Sequence, residues 1–516
     1  MPLNPPKEDP PVPPGTPGDV TITWEAREPV TDPTLGVPVT VTDRDSAHRL
    51  VTVGDSITQG FQSLAISKTN LSWPALVARA LGLSDSEFRY PTYDGFGGLP
   101  FNLEFCVRGL QKRFGRLDLI KDPLAAAWLL HVALEIKHWW THEADRTWHP
   151  AGPNHNLAIY SYDVQTPYTK TLAQIESSIA QKPTGWLHPP ITPHDVDRAA
   201  RRVLAMAQDD WTLLDAARAL GDDGGIETLV VALGANNVLD VVIGLKYEWA
   251  TGDADRVHGR VWSPTFFAND WKGLIDEVRA VNAKHVIVAT VPHVTVVPLA
   301  AAVGERLRPD SRYFEYYTHY WLRDRFDRDR DPYLTGPQAR AIDSAIDQYN
   351  ETIVESVRQA RRDGLDWYVF EMAGVLDRLA KRRYLSNLAA LPTWWQASGG
   401  AYPLPKPLSD LHPQPDTQFF TAGTSGRTTG GLIALDGVHP TTIGYGIVAQ
   451  EVIRVMETAG VSFPSSPCTI DFDALLAEDE LMSDPPVTLT GDLHIVGWLN
   501  EHLDIITALL SHGRLP

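Results

Sequence analysis

Four short apolar runs constrain this chain more than any other feature. They are "LVTV" from Leu50 to Val53, "TLVVALG" from Thr228, "HVIVATVP" from His285 and "DWYVFEM" from Asp366, and stretches with helical periodicity lie between them. A strand covered on both faces reads as a continuous apolar run, and strands alternating with helices build a parallel sheet with helices on each side. The expected fold class is therefore α/β, a three-layer α/β/α arrangement of a parallel sheet with long insertions. "SWPALVARALG" reads as a helix with Ser72 as cap, Pro74 in its first turn and Gly82 as stop. Asp195 to Leu220 reads as one long helix ended by Gly221, with Val196, Val203, Leu204, Ala207, Trp211 and Leu214 on one face. Trp271 to Ala283, Thr335 to Asp363 and Thr441 to Thr458 read as further helices.

Residues 1–46 stand apart: a Pro-rich arm over 1–19, expected to be extended and poorly ordered, is followed by a short β-like stretch, "VPVTVTD", from Val37. A core spans 47–459. Stretches near 105–193, 299–335 and 379–434 are far longer than the usual connection of about 2 to 6 residues, so they are insertions. Their Trp, Tyr and Pro content suits a lid or a substrate wall, or equally extra packing or an oligomer surface. The last unit, 460–516, ends in an amphipathic pattern from Ile495 to Ser511. Its apolar face, Ile495, Trp498, Leu499, Leu503, Ile506 and Leu510, would dock on the body or on a second subunit, making a homo-oligomer.

Composition removes several function classes. Against 45 Lys and Arg stand 64 Asp and Glu, a net charge of −19, which repels phosphate backbones and speaks against a nucleic-acid partner. With 43% hydrophobic residues the chain can bury a real core. The two cysteines, Cys106 and Cys468, form neither a disulfide framework nor a thiolate metal site. The longest uncharged stretch, Val286 to Gly304, is interrupted by Pro292, His293 and Pro298, so no transmembrane segment is expected. The N-terminus lacks the basic start and apolar run of a secretory leader, which favours a cytoplasmic protein.

The first strand runs straight into Gly54, Asp55 and Ser56, and ligands of such sheets bind beyond the carboxyl ends of the strands. A serine in a turn is by itself an ordinary hydroxyl. "LDGVHP", however, places Asp436 and His439 three residues apart in a loop entering a helix, where the carboxylate can hold the imidazole N–H and the imidazole can take a serine proton. The alternative is that Asp436 caps that helix and His439 is merely exposed. "ALGANNVLD" adds Asn236 at another strand end, a candidate amide donor to a developing oxyanion, or a cap.

Taken together, "GDSIT", "GANN" and "DGVHP" resemble the blocks of the SGNH family, the GDSL-type serine esterases and lipases, in the family's order and over about Ala47 to Thr458. Ile57 stands for the usual Leu, and Asn237 for the usual Asp of the second motif. The resemblance implies Ser56 as nucleophile, His439 as general base and acid, and Asp436 as its orienting carboxylate. It also implies an oxyanion hole of the Ser56 N–H, the Asn236 amide and a glycine N–H after the second strand. "YDGFGGLP" offers Gly95, Gly97 and Gly98 for that donor, and Gly98, last in the run, is the choice. Asp55 would hold the turn rather than serve as triad acid. An α/β-hydrolase elbow is excluded, because Gly-x-Ser-x-Gly would need glycine where Thr58 stands, so a doubly wound, flavodoxin-like parallel sheet is the better expectation.

The expected activity is hydrolysis of a carboxylic ester, small or lipid-like, through an acyl-enzyme and without a cofactor. Acyl transfer or carbohydrate O-deacetylation would use the same triad, and a non-catalytic binding protein could stand on the same fold. Among His131, His138, His142 and His149, the His138/His142 pair has zinc-like spacing, but Trp139 breaks the HExxH pattern and a polar insertion face is the simpler reading. "TSGRTTGG" (424–431) reads as a mobile loop or hinge before the Asp-His block, and "RDRFDRDRD" as a solvated surface.

Overall fold

Val51 and Val53 project from one face of a strand and Leu50 from the other, and both faces are covered. That strand, β1 (His48–Gly54), belongs to a five-stranded sheet in a computed structural model that describes residues 11–41, 45–115, 123–144, 148–181, 194–256 and 259–486. Its partners are β2 (Asn156–Ala158), β3 (Ile226–Ala232), β4 (Ala283–Ala289) and β5 (Trp367–Phe370). All pairings are parallel, in the order β2-β1-β3-β4-β5.

Alternation carries through the sheet. Leu229, Val231, Val286, Val288 and Val369 join one apolar core, while Val230, Ala232, Ile287, Ala289 and Phe370 join the other. Both faces are closed by helices. Of α1 (Ser56–Gln59), α2 (Trp73–Ala80), α3 (His194–Val203), α4 (Leu213–Asp222), α5 (Pro264–Arg279), α6 (Gly336–Arg362), α7 (Met372–Leu379) and α8 (Thr442–Thr458), the first core takes α3 to α6 and the second takes α2 and α8. The molecule is thus α/β, a central parallel sheet flanked by helices.

Several expectations are corrected. The long helix from Asp195 to Leu220 is two helices, α3 and α4, with Met206 in the left-handed region (φ 66°) between them. Thr212 restarts the helix through a capping box: its hydroxyl accepts the Asp215 N–H and the Asp215 carboxylate accepts the Thr212 N–H. Of the β-like stretch from Val37, residues 37–41 form no strand and 42–44 lie outside the described residues. The arm, where described, is not loose. Asp19 accepts the Thr265 N–H at 2.9 Å, and Asp32 takes both terminal nitrogens of Arg361 at 2.7 Å each. A Pro-rich segment has few N–H groups with which to build its own elements, but its carboxylates find donors on the helices beneath.

Part of the first insertion belongs to the sheet, since β2 lies within 105–193. The second insertion folds into an antiparallel sheet of Ala300–Arg306, Phe314–His319 and Leu334–Thr335. The supposed hinge at 424–431 forms one side of a hairpin, Thr421–Gly423 against Gly426–Thr429. Among the described residues no helix is long and apolar enough to cross a membrane. The pattern from Ile495 to Ser511 lies outside the described residues.

Candidate active site

Register brings three sequence-distant turns to one edge. Gly54 at the end of β1 is level with Ala158 of β2 and Ala232 of β3, so Ser56, the turn after Ala158 and Asn236 emerge side by side. Ser56 opens α1 directly after the strand, with Asp55 as N-cap accepting the Ile57 N–H at 3.1 Å. The turn is so tight that a Cβ on Gly54 would lie 2.3 Å from Thr58 Oγ1 and 2.9 Å from the Ala232 carbonyl oxygen. Glycine is required there by this close approach.

The loop before α8 delivers the other two groups. His439 Nε2 lies 2.9 Å from Ser56 Oγ, and His439 Nδ1 lies 3.1 Å from Asp436 Oδ2. Asp436 is fully buried and is not a helix cap; Thr441 caps α8 by accepting the Gly444 N–H. The remaining capacity of the Asp436 carboxylate is filled by the N–H groups of Val438 and His439 at 2.9 Å and of Leu64 at 3.0 Å. Burial alone would raise this carboxyl, but the neighbouring His439 and those N–H groups outweigh it and hold it below the usual carboxylate range. The Phe61 ring packs against the imidazole, centroids 4.6 Å apart, and fixes its other side.

The turn at Asp436–Pro440 is braced from outside. Gly437 has φ 69°, a Cβ there would lie 2.8 Å from the Phe419 ring, and its carbonyl accepts the Leu299 N–H at 3.0 Å. Leu299 and Phe419 come from the second and third insertions. At least part of each insertion therefore serves to hold the histidine loop.

Asn236 sits in a short 3-10 turn, Ala235–Asn237, beyond β3. Its Nδ2 donates to the Tyr162 carbonyl at 2.9 Å, which settles the amide orientation and leaves a second N–H on the same nitrogen. Asn237 is wholly buried; its Oδ1 accepts the Val164 N–H at 3.3 Å, the acceptor role an Asp would also fill, while its Nδ2 has no partner among the described residues. Asp55 is pushed up to about 7 by burial, against the opposing pull of the Ile57 N–H and His439.

The choice of Gly98 as third donor does not hold. Its N–H donates to the Gly95 carbonyl at 3.0 Å, and its carbonyl accepts Trp140 Nε1 at 2.9 Å. Gly95, Gly97 and Gly98 precede a small strand, Leu99–Pro100, that pairs with Ala65–Ile66 rather than with the central sheet. The second strand of the sheet is β2, and its outgoing turn is Ile159–Tyr162, with Ser161 at φ 71°. The signal for β2 was present as "NLAIY", a short apolar run, but it lies inside the stretch read as an insertion.

The histidines of the first insertion do not assemble into a metal site: His138 and His142 stack on each other, and no group of three or more His, Cys, Asp or Glu side chains among the described residues is placed to hold an ion. Cys106 and Cys468 are separate, buried thiols. No protein-family model matches the chain, and no curated protein matches it.

Proposed function

We propose that this protein is a serine hydrolase of carboxylic esters, with the flavodoxin-like sheet order and the three motif blocks of the SGNH family. The observation that carries the reading is the relay from Asp436 through His439 to Ser56, at 3.1 and 2.9 Å, at the carboxyl edge of a parallel sheet and beside Asn236. Ser56 Oγ attacks the ester carbonyl carbon while its proton passes to His439 Nε2. The negative charge on the carbonyl oxygen is met by the Ser56 N–H and the second N–H of Asn236. His439 then protonates the leaving alkoxide, the C–O bond breaks, and an acyl-enzyme remains on Ser56. Water adds to that carbonyl, giving a proton to His439; the intermediate collapses to release the acid, and the proton returns to Ser56.

Asp436 keeps the imidazole in the tautomer with Nδ1 protonated and stabilises its charged form. The test is hydrolysis of nitrophenyl acetate by wild type and Ser56→Ala, together with labelling by a small fluorophosphonate. Turnover should fall on the order of 10⁴- to 10⁶-fold in the variant, and the label should map to Ser56. A folded wild-type protein that neither turns over nor labels would overturn the reading.

A further inference from the structure

A cleft of about 100 Å³ opens on both Ser56 and His439. Its walls come from Ile57 on α1, Ala235 and Leu239 beyond β3, the segment after β4, helix α7, the stretch from Thr417 to Pro440, and the inner face of α8. They are aliphatic rather than aromatic, with Val296, Val297, Leu376, Leu379, Val438 and Ile447 as examples.

Apart from Ser56 and His439, the polar side chains lining it among the described residues are His293 and Thr417, and both are already engaged. His293 Nδ1 faces both oxygens of Asp377 at 3.1 Å, and its Nε2 faces Asp347 at 2.9 Å. Thr417 Oγ1 donates to the Leu379 carbonyl and accepts the Lys381 N–H, each at 3.1 Å. A sugar or charged headgroup placed here would lose hydration and find no side-chain partner in return. A hydrocarbon chain would lose nothing.

We infer that this cleft is an acyl-chain pocket, and that the preferred substrates are esters of linear, uncharged aliphatic acids longer than acetate. This rests on the ester-hydrolase reading and specifies its substrate class. The acyl side is favoured over the alcohol side by the chemistry of the cycle. The acyl group stays on Ser56 through both half-reactions, whereas the alcohol must leave and be replaced by water, for which a dry pocket is unsuited.

The experiment measures kcat/KM for nitrophenyl esters from acetate through hexanoate, and in parallel for acetates of alcohols of rising length. Active sites are counted by fluorophosphonate titration. Each buried methylene is worth about 0.8 kcal/mol, so the acyl series should rise roughly fourfold per methylene while the alcohol series stays nearly flat. Two variants narrow the cleft from different helices at half-buried positions, Val375→Phe on α7 and Val448→Phe on α8. In each, the ratio of hexanoate to acetate kcat/KM should fall by about tenfold or more, a readout unaffected by the fraction of folded enzyme.

An enzyme that labels and turns over but shows no gain with acyl length, or gains with alcohol length instead, overturns the pocket assignment and leaves the hydrolase reading standing. So does a chain-length preference that both variants retain. Absence of labelling and of turnover on every ester overturns both.

Discussion

Ser56, His439 and Asp436 illustrate how little a residue type says before its neighbours are known. Each had an ordinary explanation in isolation, a turn hydroxyl, an exposed imidazole and a helix cap. The cap is Thr441, the imidazole is buried between Phe61 and Ser56, and the hydroxyl is within hydrogen-bond distance of it. Asn236 is the most informative single residue to change. Because its amide already holds the Tyr162 carbonyl, Asn236→Ala removes one bond to the turn after β2 and, in the proposed mechanism, one donor to the oxyanion. The expected loss in kcat is about 10²- to 10³-fold, with KM for a nitrophenyl ester changed far less. Steady-state kinetics decide it: an unchanged kcat would take Asn236 out of the site.

At the scale of elements, the helix reading went wrong where a local cap competed with periodicity. Six apolar positions from Val196 to Leu214 suggested one face of one helix, but the Thr212 and Asp215 capping box begins a second. Loops show the reverse case, in which context holds a turn that propensity would leave mobile. Gly437 sits in the left-handed region against Phe419 and Leu299, so Gly437→Ala should destabilise the fold by about 1 to 2 kcal/mol and lower kcat by displacing His439. Chemical denaturation and turnover measured on one preparation check both effects.

The buried His293 ties the segment after β4 to α6 and α7. It faces Asp377, Asp347 and Asp343, with Arg383 and Arg312 completing the cluster. Burial alone would depress its pKa, but the three carboxylates outweigh that and raise it from 6.5 to about 10. A group raised on folding stabilises fully below its unfolded pKa and loses that contribution as pH climbs through the folded value. Stability should therefore decline between about pH 6.5 and 10, by an amount on the order of a few kcal/mol. The decline should be flatter in His293→Asn, less stable at neutral pH; equal slopes for the two proteins in thermal melts across this range would refute the assignment.

For the whole molecule, the N-terminal arm is the least anticipated feature. Arg361 is 4% exposed and Arg340 is 1% exposed, and both depend on the arm: Arg361 on Asp32, Arg340 on Thr23 and the Glu25 carbonyl. Removing residues 1–41 would leave two guanidiniums short of partners and uncover the surface beneath Leu35, which is buried. The Tm should drop by several degrees or more, and Asp32→Ala alone should account for about 1 to 3 kcal/mol of the loss. A truncated protein melting with wild type would show that the arm contributes nothing to stability.

By itself, the sequence determined the α/β class, four of the five sheet strands and the positions of Ser56, Asn236, Asp436 and His439 at turns. Those features are local: a continuous apolar run, a glycine bend and a spacing of three residues depend on side chains close along the chain. Which turns meet was decided only by the tertiary structure. Residues 104 positions apart, such as Gly54 and Ala158, become neighbours through strand pairing, and no local pattern shows that the three-residue β2 rather than the glycine run at 95–98 supplies the second strand. The same holds for the cleft, whose aliphatic walls come from segments between Ile57 and Val448. Burial is a property of how those segments stack, so the pocket beside Ser56 exists only once the sheet, its helices and its insertions are assembled.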